Sequence, residues 1–196
     1  MALAPYFRTT LHILPLMSST ASLTHAYMEA LTTDAFLHPA PTTSALTRAL
    51  AKETASSLPS TTKTEAAKDL LIPIWFTNFF HAAVYSVITF NTLTTTSAAA
   101  NLYLYPNELG STGSRTYYAA GLTAALAHFA FVPAVAGSIE RLFKMCVAQA
   151  KGQVVQGGAA ANTLREWNAR HRVRMMTVDL CAWVCFSVGV VGFLTP

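Results

Sequence analysis

The chain has 196 residues, of which 53% are hydrophobic and only 11% are Asp, Glu, Lys or Arg, against about 25% charged residues in a soluble domain. That balance argues against a soluble globule, and with 9 Gly and 9 Pro it also excludes a disordered tail, a collagen and a coiled coil. The net charge of +4 does not point to nucleic acid, because the basic residues never form a run interleaved with aromatics.

A helix that crosses the hydrocarbon core needs about 20 largely apolar residues. Charge-free intervals of that kind lie between Arg8 and Glu29, Asp69 and Glu108, Arg115 and Glu140, and from Asp179 to Pro196. They predict helices near 9–31, 70–95, 117–138 and 173–194, so the expected fold is all-α: a polytopic membrane protein whose 196 residues form one four-transmembrane-helix bundle.

The first interval carries Ser18, Ser22, His25 and Glu29 within about 60° of one helical face. Its interrupted apolar core favours a retained helix over a signal peptide. The loop 32–69 is rich in Ser, Thr and Ala, and Ser44 to Glu53 could form a short surface helix. In the second interval Asn78, His81, Tyr85 and Thr92 form a polar stripe. Thr94-Thr95-Thr96-Ser97 followed by Tyr105-Pro106-Asn107 reads as a frayed helix end leading into a turn. The third helix aligns Tyr117, Gly121 and His128.

In the loop 139–172, Gly152, Gly157 and Gly158 break the chain, so the third helix should run on to about Lys151 and the fourth begin around Thr163. On the fourth helix Asn168, Arg172, Asp179 and Trp183 share a side, with His171 and Met175 nearby. Lys and Arg concentrate in the loops 32–69 and 139–172, leaving Arg8 and Arg115 opposite, which predicts cytosolic loops and lumenal termini.

Polar groups at bilayer depth are costly unless they meet partners or water. Four striped helices therefore predict an interior polar pocket opening to the bilayer or cytosol. Most of these positions read equally as packing contacts, but Asp179 and Glu29 stand out as intramembrane carboxylates. A desolvated carboxylate beside a histidine or tyrosine is what acid–base chemistry requires. The six histidines include no HxxxH pair, and the three cysteines, Cys146, Cys181 and Cys185, include no CxxC, so neither a metal centre nor a redox couple is expected. No phosphate loop, dinucleotide fingerprint or nucleophile elbow is present, and no cofactor is expected.

The run Leu164-Arg165-Glu166-Trp167-Asn168-Ala169-Arg170-His171-Arg172-Val173-Arg174, leading into Asp179-Leu180-Cys181-Ala182-Trp183, follows a W-N-x-x-H-x-x-R pattern at the entry to a last helix. It resembles small four-helix membrane proteins of fungal secondary-metabolite clusters. Two groups compete: the cofactor-free anthrone oxygenases of aromatic polyketides, and the small membrane epoxide hydrolases of polyene-pyrone pathways of the aurovertin and citreoviridin type. The Pro-Thr-Asn segment and Gly-rich first helix of the oxygenases are missing. Pro73-Ile74-Trp75-Phe76-Thr77-Asn78-Phe79-Phe80 and His128-Phe129-Ala130-Phe131-Val132-Pro133 look more like the hydrolases.

That resemblance implies epoxide opening on a lipophilic polyketide at a membrane, in the endoplasmic reticulum, with an epoxidising monooxygenase as functional partner. For that chemistry the expected roles are Asp179 as the base that orients the nucleophile, His171 and Arg174 tuning its charge, and Tyr85, His81 or His128 on the acid side, with Glu29 in reserve for either role. The rival outside enzymology is a tetraspan scaffold or transporter subunit whose stripes only hold helices together.

Overall fold

A computed structural model of the protein describes residues 4–38, 46 and 61–195. The expected surface helix at 44–53 lies outside these residues, apart from Leu46. Among the described residues there is helix and no strand. The elements are α1 (Ala4–Leu37), α2 (Thr61–Leu104), α3 (Pro106–Ser111), α4 (Ser114–Ala127), a 3₁₀ turn (His128–Phe131), α5 (Val132–Ala150), α6 (Ala159–Arg174), a π-helical turn (Met175–Asp179) and α7 (Leu180–Leu194). The 3₁₀ turn joins α4 and α5 into one rod, and the π turn joins α6 and α7 into another.

Three rods are long and apolar enough to cross a membrane: Ala67–Leu104, Ser114–Ala150 and Ala159–Leu194. Only 22%, 17% and 28% of their most apolar windows are buried inside the protein. The remaining apolar surface faces outward, as a lipid-facing helix requires. The helix α1, with 34 residues, packs alongside α2 and α7 but is not among these three.

The helices run past the ends expected of them. Thr94 to Ser97 are no frayed end: each hydroxyl donates to the carbonyl four residues earlier, at 2.6–2.8 Å. This back-bonding satisfies the side chains inside an unbroken helix. The turn between α5 and α6 spans 151–158, with Gly152 and Gly158 in the left-handed region at φ 73° and 80°. Asp69 of α2 holds this turn, its carboxylate accepting from the backbone N–H groups of Gly158 and Ala160.

Prolines inside helices remove one N–H and free the carbonyl four residues before, and here each freed carbonyl finds another donor. Pro15 frees Leu11, whose oxygen accepts from Asn101 Nδ2 of α2 at 2.6 Å. Pro73 frees Asp69, whose backbone oxygen accepts from Gln149 Nε2 of α5 at 2.8 Å. Pro133 frees Phe129, which accepts instead from the N–H of Val132, and that bond closes the 3₁₀ turn.

Two apolar clusters fix the rods. One gathers Ile72, Phe76, Leu142, Leu164 and Trp167, with Trp75, Phe80 and Phe143 against them. The other, toward the opposite end, gathers Leu109, Tyr118, Ala125, Phe186 and Val190. There Gly121 and Gly189 let α4 and α7 approach closely: a Cβ on Gly121 would stand 2.7 Å from the Phe186 ring, and one on Gly189 2.9 Å from Tyr118. Small residues at helix crossings serve this purpose in membrane bundles.

Candidate active site

The two local departures from α-helix geometry deliver the two groups at the centre of the site. His128 opens the 3₁₀ turn and Asp179 closes the π turn, a kind of irregularity that recurs at functional positions. Both side chains are buried. His128 Nδ1–H donates to Asp179 Oδ1 at 2.8 Å. This fixes the imidazole's tautomer, because the other nitrogen, Nε2, faces only donors: Asn91 Nδ2 and Arg174 Nη1, each at 3.4 Å.

Arg174 is the hub of the network. Its Nη2 donates to His171 Nδ1 at 3.2 Å, and its Nε lies 3.3 Å from Asp179 Oδ2 in an ion pair without hydrogen-bond geometry. His171 in turn donates from Nε2 to the carbonyl oxygen of Ala26 at 2.8 Å and stacks on Trp167, ring centroids 4.9 Å apart. Glu29 of α1, also buried, lies between His171 Nε2 at 3.6 Å and His25 Nε2 at 3.4 Å. A continuous set of charged and imidazole groups thus runs from His25 through Glu29, His171 and Arg174 to His128 and Asp179.

Beside Asp179 a narrow cleft is lined by the polar groups of Ser19, Ser22, Asn91 and Thr94, with room for a guest the size of water. Among the described residues, this cleft is where the polar stripes of α1 and α2 meet Asp179. Asp179 Oδ2 is buried and accepts no hydrogen bond. Among the described residues no three His, Cys, Asp or Glu side chains converge as a metal site would need.

The structure brings Glu29, His128, His171, Arg174 and Asp179 together. It does not bring His81 and Tyr85 to them. Both lie on the exposed face of α2, as do Asn78 and Thr92; Tyr85 is 72% exposed, and His81 sits against Phe143 with Nδ1 near the Thr77 carbonyl oxygen. The inward face of α2 is that of Asn91, Thr94, Ser97 and Asn101, a second stripe at helical spacing that the sequence reading passed over. Tyr117 is likewise exposed, and its neighbour Tyr118 is the buried one.

The W-N-x-x-H-x-x-R residues divide between holding and connecting. Asn168 Nδ2 donates to Asp34 Oδ1 of α1 at 2.8 Å, and Arg172 pairs with the same carboxylate. Trp183 Nε1 donates to Thr20 at 3.0 Å. These contacts pin the last rod to α1 on either side of His171, Arg174 and Asp179.

Fold and site together define an all-helical protein with helices of membrane-crossing length around a buried carboxylate–imidazole–guanidinium network. Over 126 residues, 63% of this chain and 70% of the relative, it is 24% identical to Epoxidase pydX of Acremonium sp.. No protein-family model matches the chain, and no solved structure matches it.

Proposed function

We propose that the protein is a membrane-embedded enzyme of secondary metabolism that opens an epoxide on a lipophilic polyketide by acid–base catalysis. In this reading α1 crosses the membrane with the other three rods, in the endoplasmic reticulum, with the segments 32–69 and 139–172 cytosolic and both termini lumenal. The observation that carries it is Asp179, buried, held through Oδ1 by His128 and with an Oδ2 that faces Arg174 but accepts no hydrogen bond, beside a water-sized cleft. Similarity to a protein named an epoxidase supports the choice of epoxide chemistry.

Asp179 Oδ2 takes the proton of a water, or of a substrate hydroxyl, as its oxygen attacks an epoxide carbon and the oxirane C–O bond breaks. Asn91, Ser19 and Ser22 orient the nucleophile, and Arg174 opposes the charge developing on the departing oxygen. With His81 and Tyr85 on the outer face, and the one ring proton of His128 engaged by Asp179, Glu29 is the proton donor to that oxygen. Two buried carboxylates against one arginine balance when one of them holds a proton, and because Arg174 pairs with Asp179, Glu29 is the one that holds it. Water gives a diol and an internal hydroxyl a cyclic ether. The cycle closes when the proton passes from Asp179 back to Glu29.

The test is to incubate membranes carrying the protein with an epoxidised polyene-pyrone in oxygen-18 water and to follow products by mass spectrometry. Enzyme-dependent conversion is expected, with the label reporting which oxygen attacked. The relative's name favours a second reading, epoxide formation. Conversion of the unepoxidised polyene under oxygen-18 gas with a reductant, and none of the epoxide, would replace the first reading with the second.

A further inference from the structure

Toward the end of the bundle opposite the 151–158 turn lies a second set of buried polar groups, whose outer members the proposed chemistry does not use. His12 of α1 is fully buried, and neither ring nitrogen has a hydrogen-bond partner. The rings of Phe193 and Tyr105 hold it, with centroids 3.9 and 4.9 Å away. Its Nε2 is 3.8 Å from Oε2 of Glu108, a carboxylate that is partly exposed at the bundle end and pairs with Arg8. Tyr118 donates its hydroxyl to the His12 carbonyl oxygen at 2.6 Å. One step inward, Asn101 is fully buried; its Nδ2 donates to Leu11 and Ser97 carbonyl oxygens, and its Oδ1 accepts nothing.

From Asn101 the polar groups continue toward the cleft. Ser97 and Thr94 follow on the same face of α2 at intervals of four and three residues. The Thr94 hydroxyl and the Ser18 hydroxyl of α1 share a hydrogen bond at 2.8 Å. Thr94, Ser19 and Asn91 then line the cleft at Asp179. Every member from His12 to Asn91 is buried, and the two helices present these groups to each other rather than to lipid. Orphaned buried acceptors and imidazole nitrogens are rare in native proteins, and ordered water is their usual partner.

We propose that this seam between α1 and α2 conducts water from the Glu108 end of the bundle to Asp179. It rests on the epoxide-opening reading in one respect: the seam sets how much water competes with an internal hydroxyl for the epoxide carbon. His12 stands at the entrance, its ring the last group that water passes before Asn101. His12 and Asn101, at the outer end of the seam, thereby influence the product without touching the substrate.

Radiolytic labelling in oxygen-18 water, with the protein in lipid nanodiscs, reads the seam directly. Tyr118 is as buried as Phe76 and Trp167 of the aromatic cluster. After correction for intrinsic side-chain reactivity, Tyr118 should be labelled several-fold faster than either, and His12→Phe, which plugs the entrance with an apolar ring, should abolish the difference. Labelling of Tyr118 no faster than Phe76, while Val154 in the 151–158 turn is labelled normally, would overturn the proposal. In turnover, His12→Phe should lower the ratio of labelled diol to cyclic ether several-fold; an unchanged ratio removes the seam from product control. Fast Tyr118 labelling in a protein that converts no epoxide would leave the water path standing and discard the epoxide reading.

Discussion

Around Phe76 the rods meet through rings. Phe36 of α1 meets Trp75 of α2 with centroids 4.3 Å apart, while Phe76 meets Trp167 edge-on at 5.2 Å and Phe143 at 6.5 Å. Farther along the last rod, around Asp179, the same bundle meets through a carboxylate pair, an arginine and three imidazoles. The first region uses regular helix, and the second needs a 3₁₀ turn and a π turn to aim its groups. Ring packing tolerates regular spacing because it is broad and weakly directional, whereas a 2.8 Å imidazole–carboxylate bond is not. His171 joins the two, one ring face on Trp167 and both nitrogens in polar contacts. The aromatic region should therefore govern stability and the polar region turnover, and substitutions can separate them.

The largest effect is expected at Asp179. Asp179→Asn keeps an oxygen to accept from His128 Nδ1 but loses the basic carboxylate, so epoxide conversion should fall by about 10²- to 10⁴-fold, the usual worth of a positioned acid or base. Thermal unfolding in detergent should change little by comparison. A variant that keeps wild-type turnover removes Asp179 from the mechanism.

Phe76→Ala should do the reverse. Emptying a fully buried ring site costs about 3–5 kcal/mol, visible as a lowered unfolding midpoint and reduced accumulation. The surviving folded fraction should keep its activity per molecule. Loss of specific activity in that fraction would mean that the aromatic cluster tunes the site and does not merely support it.

A smaller cost is expected at the α4–α7 crossing. Gly121→Ala puts a methyl group against the Phe186 ring, and overpacking of this kind costs about 1–3 kcal/mol. The strain falls on Phe186, whose ring meets Tyr118 edge-on at 6.0 Å. A neutral result in thermal unfolding would show that Phe186 can swing aside and that the crossing is looser than its contacts indicate.

The rods were legible because charged residues are expensive at bilayer depth, so their gaps mark helices without reference to partners. Asp179, His128 and Glu29 were legible for the same reason, each a titratable group where apolar residues are the rule, whereas His171 and Arg174 stand in a charged run and were singled out by the W-N-x-x-H-x-x-R pattern. That Arg174 would bridge both histidines was not, since helical spacing places it near His171 but gives no rod-to-rod register. The face of α2 was misjudged on physical grounds. It carries Asn78, His81, Tyr85 and Thr92 on one side and Asn91, Thr94, Ser97 and Asn101 on another, so polarity alone does not say which side meets α1. The choice was made by Pro15, which exposes the Leu11 carbonyl and draws Asn101 inward.

That choice makes the smallest prediction the sharpest one for the outer face of α2. Tyr85→Phe and His81→Ala alter side chains on the exposed side, outside the Asp179 network. Exposed substitutions away from special features fall within about 0.5 kcal/mol of neutral, so both turnover and unfolding midpoint should stay near wild type. His81 is the stricter case of the two, because its ring also packs on Phe143 at 5.3 Å, and a modest loss of stability there is compatible with the fold. A loss of turnover at unchanged stability in either variant would not be. It would mean that the outer face of α2 meets the substrate, and that the lipophilic chain approaches along α2 rather than between the rods around Asp179.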